Sequence, residues 1–148
     1  MANFYFDMDG TIFDLYGVDG WLDDLINSNP RPYEVAKPLV NFSRLAKAIN
    51  KARRNGNKVS IISWLSKNST EAYDEAVTIA KINAIRKHFP SVWFDEVYII
   101  PYGTPKSSVA ECGILFDDEE RNLNEWVNSG MGEAFTPDKI FEVLAARG

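Results

Sequence analysis

The chain has 148 residues, of which 45% are hydrophobic and 25% charged, and it carries a formal net charge of −5. This composition excludes wholesale disorder and suits one domain, residues 1–148, with a substantial core. The acidic balance disfavours a long nucleic acid as partner.

Phe4 to Phe6 is a short aromatic run that fits a buried strand, and Asp7 and Asp9 follow where it ends, with Gly10 and Thr11 behind them. Gly10 to Gly17 mixes glycine with Ile12, Phe13 and Leu15, which predicts a turn and a small hairpin over the strand end. Asp19 is placed to cap a short helix through Ile26, because Trp21, Leu22, Leu25 and Ile26 share one helical face. Pro30, Pro32 and Pro38 make 28–38 an extended connector.

From Leu39 to Asn55 the apolar positions Phe42, Leu45, Ala46, Ile49 and Ala52 follow helical spacing, with Gly56 as the stop. Val59 to Ile62 reads as a second strand ending in Ser63, and a long helix runs from about Thr70 to His88. Glu96 to Ile100 is a third strand, and the loop Pro101 to Pro105 delivers Lys106. Ile114 to Phe116 is a fourth strand, stopping on Asp117 and Asp118. Leu123 to Asn128 is a helix, Glu133 to Phe135 a short fifth strand, and Thr136 with Pro137 opens the last helix. This alternation predicts an α/β, three-layer Rossmann-like parallel sheet with helices on both faces.

In such a sheet the residues just past the strands converge on one edge, where open α/β folds bind ligands. Here these are Asp7, Asp9, Ser63, Asp117 and Asp118, joined by Lys106. Two bare carboxylates ~4 Å apart repel by roughly 4 kcal/mol at an effective dielectric of ~20, and a divalent cation offsets that cost. Acids, a hydroxyl and an ammonium are a set for phosphoryl transfer: cations neutralise phosphate oxygens while one carboxylate attacks. Other readings compete. Asp7 and Asp9 could be turn residues, and Asp117 and Asp118 could be a helix N-cap pair ahead of Glu119 and Glu120. A calcium loop over Asp7 to Asp14 is disfavoured because Gly10 falls too early, and a P-loop over Gly103 to Ser107 fails at Pro105.

Single residues read more blandly. His88 suits a solvated helix end, Cys112 a small core residue, and Trp21, Trp93 and Trp126 packing. The cluster Lys51, Arg53 and Arg54 suits a solvated helix end. Trp64 is either core or a wall of the substrate pocket. Cys112 is the only cysteine, so a reducing compartment is expected. The start Met-Ala-Asn-Phe lacks the basic and apolar segments of a secretory signal, and no run approaches the roughly 18 apolar residues of a membrane span. The expected location is the cytoplasm.

With these segments in place, the chain resembles the haloacid dehalogenase superfamily of aspartate-based phosphohydrolases. Asp-Met-Asp-Gly-Thr at 7–11 looks like its first motif, Ile-Ile-Ser at 61–63 its second, Lys106 in Thr-Pro-Lys-Ser its third and Leu-Phe-Asp-Asp at 115–118 its fourth. The resemblance implies a magnesium-dependent phosphatase. Asp7 would be the nucleophile, and Asp9 the general acid and base with its backbone carbonyl on the metal. Ser63 would bind phosphate, and Lys106 would balance charge on Asp7 and the phosphoryl group. Asp117 would bind Mg²⁺ beside Asp7, with Asp118 reaching it through water or orienting Lys106.

The run from Lys87 to Ala110, with Phe-Asp-Asp-Glu at 116–119, is similar to the deoxyribonucleotidase-type 5'-nucleotidases. That likeness implies a small phosphorylated substrate, a nucleoside monophosphate, with Phe13, Tyr16 or Trp64 against the base. Those nucleotidases carry a sizeable helical cap, whereas residues 14–38 leave room only for a flap or minimal cap. Either a partner subunit covers the cleft, or the substrate is larger, a phosphoprotein or a nucleic-acid end. A magnesium- and phosphate-binding module without catalysis is the alternative of a different class.

Overall fold

The structure, a computed structural model, describes residues 1–67 and 69–148. Its strands are β1 (Asn3–Phe6), β2 (Phe13–Asp14), β3 (Lys37–Pro38), β4 (Lys58–Trp64), β5 (Val97–Ile100), β6 (Ile114–Phe116) and β7 (Ala134–Phe135). The helices are α1 (Trp21–Ile26), α2 (Arg31–Val35), α3 (Phe42–Arg54), α4 (Glu71–His88), α5 (Glu120–Asn128) and α6 (Ile140–Arg147). Among the described residues no helix is long and apolar enough to cross a membrane.

Five of the strands form a parallel sheet in the order β5-β4-β1-β6-β7. In the register Phe4↔Val59 and Phe4↔Ile114, side chains alternate between faces as the pleat requires. Phe4, Phe6, Val59, Ile61, Ile114 and Phe116 meet Leu45 and Ile49 of α3 and Ile140 and Leu144 of α6 on one face. Tyr5, Ile62 and Leu115 meet Trp126 of α5 on the other. The expected three-layer α/β architecture is therefore present. Phe6 and Phe116 stack at 4.8 Å between ring centres, and each such buried side chain contributes about 1.5–3 kcal/mol. This apolar grip holds the ends of β1 and β6, and so the acids behind them, side by side.

The helices start where side chains can cap them. Asn41 accepts from the Arg44 amide and Thr70 from the Tyr73 amide, so α3 and α4 begin slightly later than their apolar patterns suggest. Helix α1 begins after Gly20 in a left-handed conformation, with no cap from Asp19. Arg53 is not merely solvated. It forks onto Asp95 with two 3.2 Å hydrogen bonds, and Asp95 also accepts from the Val59 amide, which ties α3 to the sheet.

Residues 14–38 differ from the expected hairpin and connector. Phe13 pairs with Pro38 and Asp14 with Lys37, so the short antiparallel ribbon joins the two ends of the insertion. Between them, 31–35 is helical because Pro32 stands in the first turn, where a proline's missing N–H costs nothing. Arg31 bonds both Asp24 and the carbonyl of Asp19, closing α2 against α1. The insertion then seats Leu15 and Tyr33 on Tyr73, Val77 and Ala80 of α4.

Four single-residue expectations are overturned. Cys112 and Trp93 are exposed rather than packed. His88 is half-buried, with its ring against Phe13 and Phe42, and desolvation lowers its pKa. Phe13 itself is core. Trp126 packs as expected, fully buried, with its indole N–H on the carbonyl of Gly113.

Candidate active site

The turn after β1 is wound around one carbonyl: the amides of Thr11, Ile12 and Phe13 all donate to Met8 O. Gly10 makes this turn at φ 79°, and a Cβ there would stand 2.2 Å from Asp118 Oδ2, so only glycine lets the two segments approach. The turn returns Thr11 to Asp7, whose Oδ2 accepts from Thr11 Oγ1 at 2.9 Å.

Lys106 arrives from the short 3₁₀ turn Lys106–Ser108 and is buried. Its Nζ donates to Asp7 Oδ1 at 2.9 Å and to Asp117 Oδ2 at 2.6 Å. Asp117, fully buried at the end of β6, also accepts from the Asn122 amide group and the Glu119 backbone N–H. Burial alone would lower the pKa of Lys106, but the charges of Asp7 and Asp117 overcome it and raise it. Burial and the charge of Asp7 push Asp117 up to about 6, and the same two causes push Asp118 up to about 8.

Asp7, Asp117 and Asp118 each offer a carboxylate oxygen, all within 4.8 Å of one another. Hard oxygen donors at this spacing suit Mg²⁺. The charges fit as well: Asp7, Asp9, Asp117 and Asp118 against Lys81 and Lys106 leave two negative charges when all are ionised, which one divalent cation balances. The carboxylate of Asp9 stands outside the three-acid group, because its Oδ2 accepts from Lys81 at 2.9 Å. Burial raises the pKa of Asp9, and Lys81 opposes the shift.

Lys81 is a residue of this site that sequence motifs do not mark. It sits on α4 one turn after Val77, within the buried stripe Tyr73, Val77, Ala80 and Ala84. A lysine in an apolar stripe was the available signal, but its residue type reads as solvated surface. This lysine also changes the place of Ser63. The hydroxyl expected to meet phosphate lies inside β4, fully buried and off the cavity wall, and accepts from Lys81 at 2.7 Å.

The acids open into a cavity of about 190 Å³. Trp64 forms part of its wall, held by a 2.8 Å hydrogen bond from its indole N–H to Thr104 O. Tyr102 packs on Trp64 at 5.0 Å, and the Arg121 guanidinium lies 4.9 Å over the Trp64 ring. The insertion supplies Leu15, Tyr16, Trp21, Leu25 and Tyr33 to the same cavity. Of the three rings expected beside a base, Tyr16 and Trp64 reach the cavity. Phe13 does not, because Phe42 and His88 enclose it.

No protein-family model matches the chain, and no curated protein matches it. Solved structures do. D,D-heptose 1,7-bisphosphate phosphatase from B. bronchiseptica, complexed with magnesium and phosphate, is 13% identical at a TM-score of 0.55, covering 96% of this chain and 86% of that one. The same-named phosphatase from Burkholderia thailandensis is 15% identical at 0.54, covering 100% and 86%. A chain of a Pnkp1/Rnl/Hen1 complex is 16% identical at 0.58, covering 92% and 45%. At these identities the likeness is one of fold: the chain shares the parallel α/β architecture of these proteins along nearly its whole length.

Proposed function

We propose that the protein is a magnesium-dependent phosphomonoesterase of the haloacid dehalogenase type, working through an aspartyl-phosphate on Asp7. The observation that carries this reading is the meeting of Asp7, Asp117 and Asp118 around one point, with Lys106 bonded to two of them. The named activity of two fold neighbours, and the magnesium and phosphate bound in one, point the same way.

In this reading a carboxylate oxygen of Asp7 attacks phosphorus, the ester bond to the leaving oxygen breaks, and Asp9 gives that oxygen a proton. Water then attacks the phosphoryl group, Asp9 takes its proton, and phosphate leaves with Asp7 restored. Lys106 holds Asp7 in place and offsets the charge that gathers on the phosphoryl oxygens. Asp7, Asp117 and Asp118, with the Asp9 carbonyl, would hold Mg²⁺, which when bound would supply further neutralisation of those oxygens. Ser63 supports Lys81 rather than reaching phosphate itself.

For substrate we favour a nucleoside monophosphate, since Tyr16, Trp64 and Tyr102 give the cavity flat aromatic walls beside the acids. The cavity volume of about 190 Å³ falls below the roughly 300 Å³ at which small-molecule pockets begin. That favours, as a second reading, the phosphorylated end of a larger molecule, of which only the tip enters.

Phosphate release with Mg²⁺ should be followed for nucleoside monophosphates, sugar phosphates, a phosphopeptide, a phosphorylated oligonucleotide and p-nitrophenyl phosphate, beside Asp7→Asn. Turnover by wild type and none by the variant is expected. No turnover of any substrate, together with Mg²⁺ and phosphate binding, would instead favour a binding module without catalysis.

A further inference from the structure

Lys81 is a buried cation beside the acids for which the reaction above has no direct use. Its side chain is 1% exposed and does not line the cavity, so it cannot touch a substrate. An ammonium has three donors and no acceptor. Here all three are taken, by Asp9 Oδ2 at 2.9 Å, Ser63 Oγ at 2.7 Å and the Trp64 carbonyl at 2.8 Å. The ring of Tyr33, from the insertion, lies 5.1 Å from Nζ on a further side. The amine is therefore fixed in direction by β4, the loop after β1 and the insertion together. Stability does not require this, because apolar residues in place of a buried charge pair are often neutral or stabilising.

We propose that Lys81 is a positioning residue that acts through Asp9. By holding Oδ2, it turns the other carboxylate oxygen toward the cavity and the leaving oxygen of a phosphoester at Asp7. Asp9 lines the cavity, and among the described residues its Oδ1 makes no hydrogen bond. The last side-chain torsion of an aspartate is broad and soft, so an unheld carboxylate would sample orientations that miss the leaving group. Pinning it beforehand removes that loss at the moment of reaction. The inference rests on the phosphohydrolase reading and adds to it a residue from α4.

The test is a leaving-group series. With Mg²⁺ present, kcat/KM is measured for p-nitrophenyl, phenyl and alkyl phosphates with wild type, Lys81→Met and Lys81→Gln. Nitrophenolate departs without a proton, whereas an alkoxide needs one. Lys81→Met should therefore lose about 100-fold on the alkyl ester and under about fivefold on p-nitrophenyl phosphate, the difference being general-acid help. Lys81→Gln, which keeps an N–H donor, should lie between and keeps the test alive where the methionine variant fails to fold. Thermal stabilisation by Mg²⁺ with beryllofluoride reports an intact Asp7 site. A parallel loss on all three esters makes Lys81 merely structural, and no loss makes it a bystander; either overturns the inference while the phosphatase reading stands. Wild type inactive on every ester removes that reading and the inference with it.

Discussion

Lys106 Nζ lies 2.9 Å from Asp7 Oδ1, although 99 residues of chain separate the two. The contact spans from the end of β1 to the turn after β5, which lie on different strands of the sheet. It places one ammonium between Asp7 and Asp117, both buried, where like charges would otherwise face each other with little water between them.

Removing that ammonium strands two acids. Lys106→Met should destabilise the metal-free protein by about 3–5 kcal/mol, the usual cost of leaving buried charge unpaired. Thermal or urea unfolding checks this, and saturating Mg²⁺ should recover part of the loss, because in the proposed function it binds the same acids in the folded state alone. A change within about 0.5 kcal/mol, as at an ordinary surface site, would show that Lys106 is not the group that balances them.

The pH dependence follows from Asp117 and Asp118, held up to about 6 and about 8 by burial and by Asp7. Because their folded pKa values exceed the unfolded ones, the folded state binds the extra protons. The stability that these two acids contribute without metal should be complete below about pH 4 and fall as pH rises toward 8. Mg²⁺ affinity should rise across pH 6–8, since the ligands must first release protons. Calorimetric titration at several pH values measures it, and a flat affinity profile would contradict the assignment of these acids as ligands.

Gly10 is the tight point between the first loop and Asp118. Gly10→Ala combines a strained left-handed φ with a Cβ 2.2 Å from Asp118 Oδ2. It should destabilise the protein by more than about 1 kcal/mol and weaken Mg²⁺ binding by displacing that carboxylate. A thermal-shift series with and without Mg²⁺ separates the two effects.

Trp64 lines the cavity beside the acids. Trp64→Ala should raise KM for a nucleoside monophosphate by an amount equivalent to about 1–3 kcal/mol, the worth of one base on one ring. KM for an alkyl phosphate should change little. Equal losses on both would mean that the ring shapes the site instead of binding a base.

Much of the sheet and its acids is legible in the sequence because the information is local. Phe4 to Phe6, Val59 to Ile62 and Ile114 to Phe116 are apolar runs that end on polar residues, and parallel strands must bring those ends to one edge. The insertion is less legible: Phe13 meets Pro38 across 25 residues, and nothing in either short segment names its partner.

Sequence by itself determined the order of the strands of the main sheet, the placing of Asp7, Asp9, Asp117 and Asp118 behind strand ends and of Lys106 on the loop after β5, since periodicity and residue chemistry are carried within a few neighbours. Only tertiary structure decided that Lys81 is buried against Asp9 and Ser63, that Phe13 belongs to the core and not the cavity, and that residues 14–38 line the cleft. These depend on which distant surfaces exclude water together. A lysine or phenylalanine has the same local propensity whether its partners are solvent, a carboxylate or another ring.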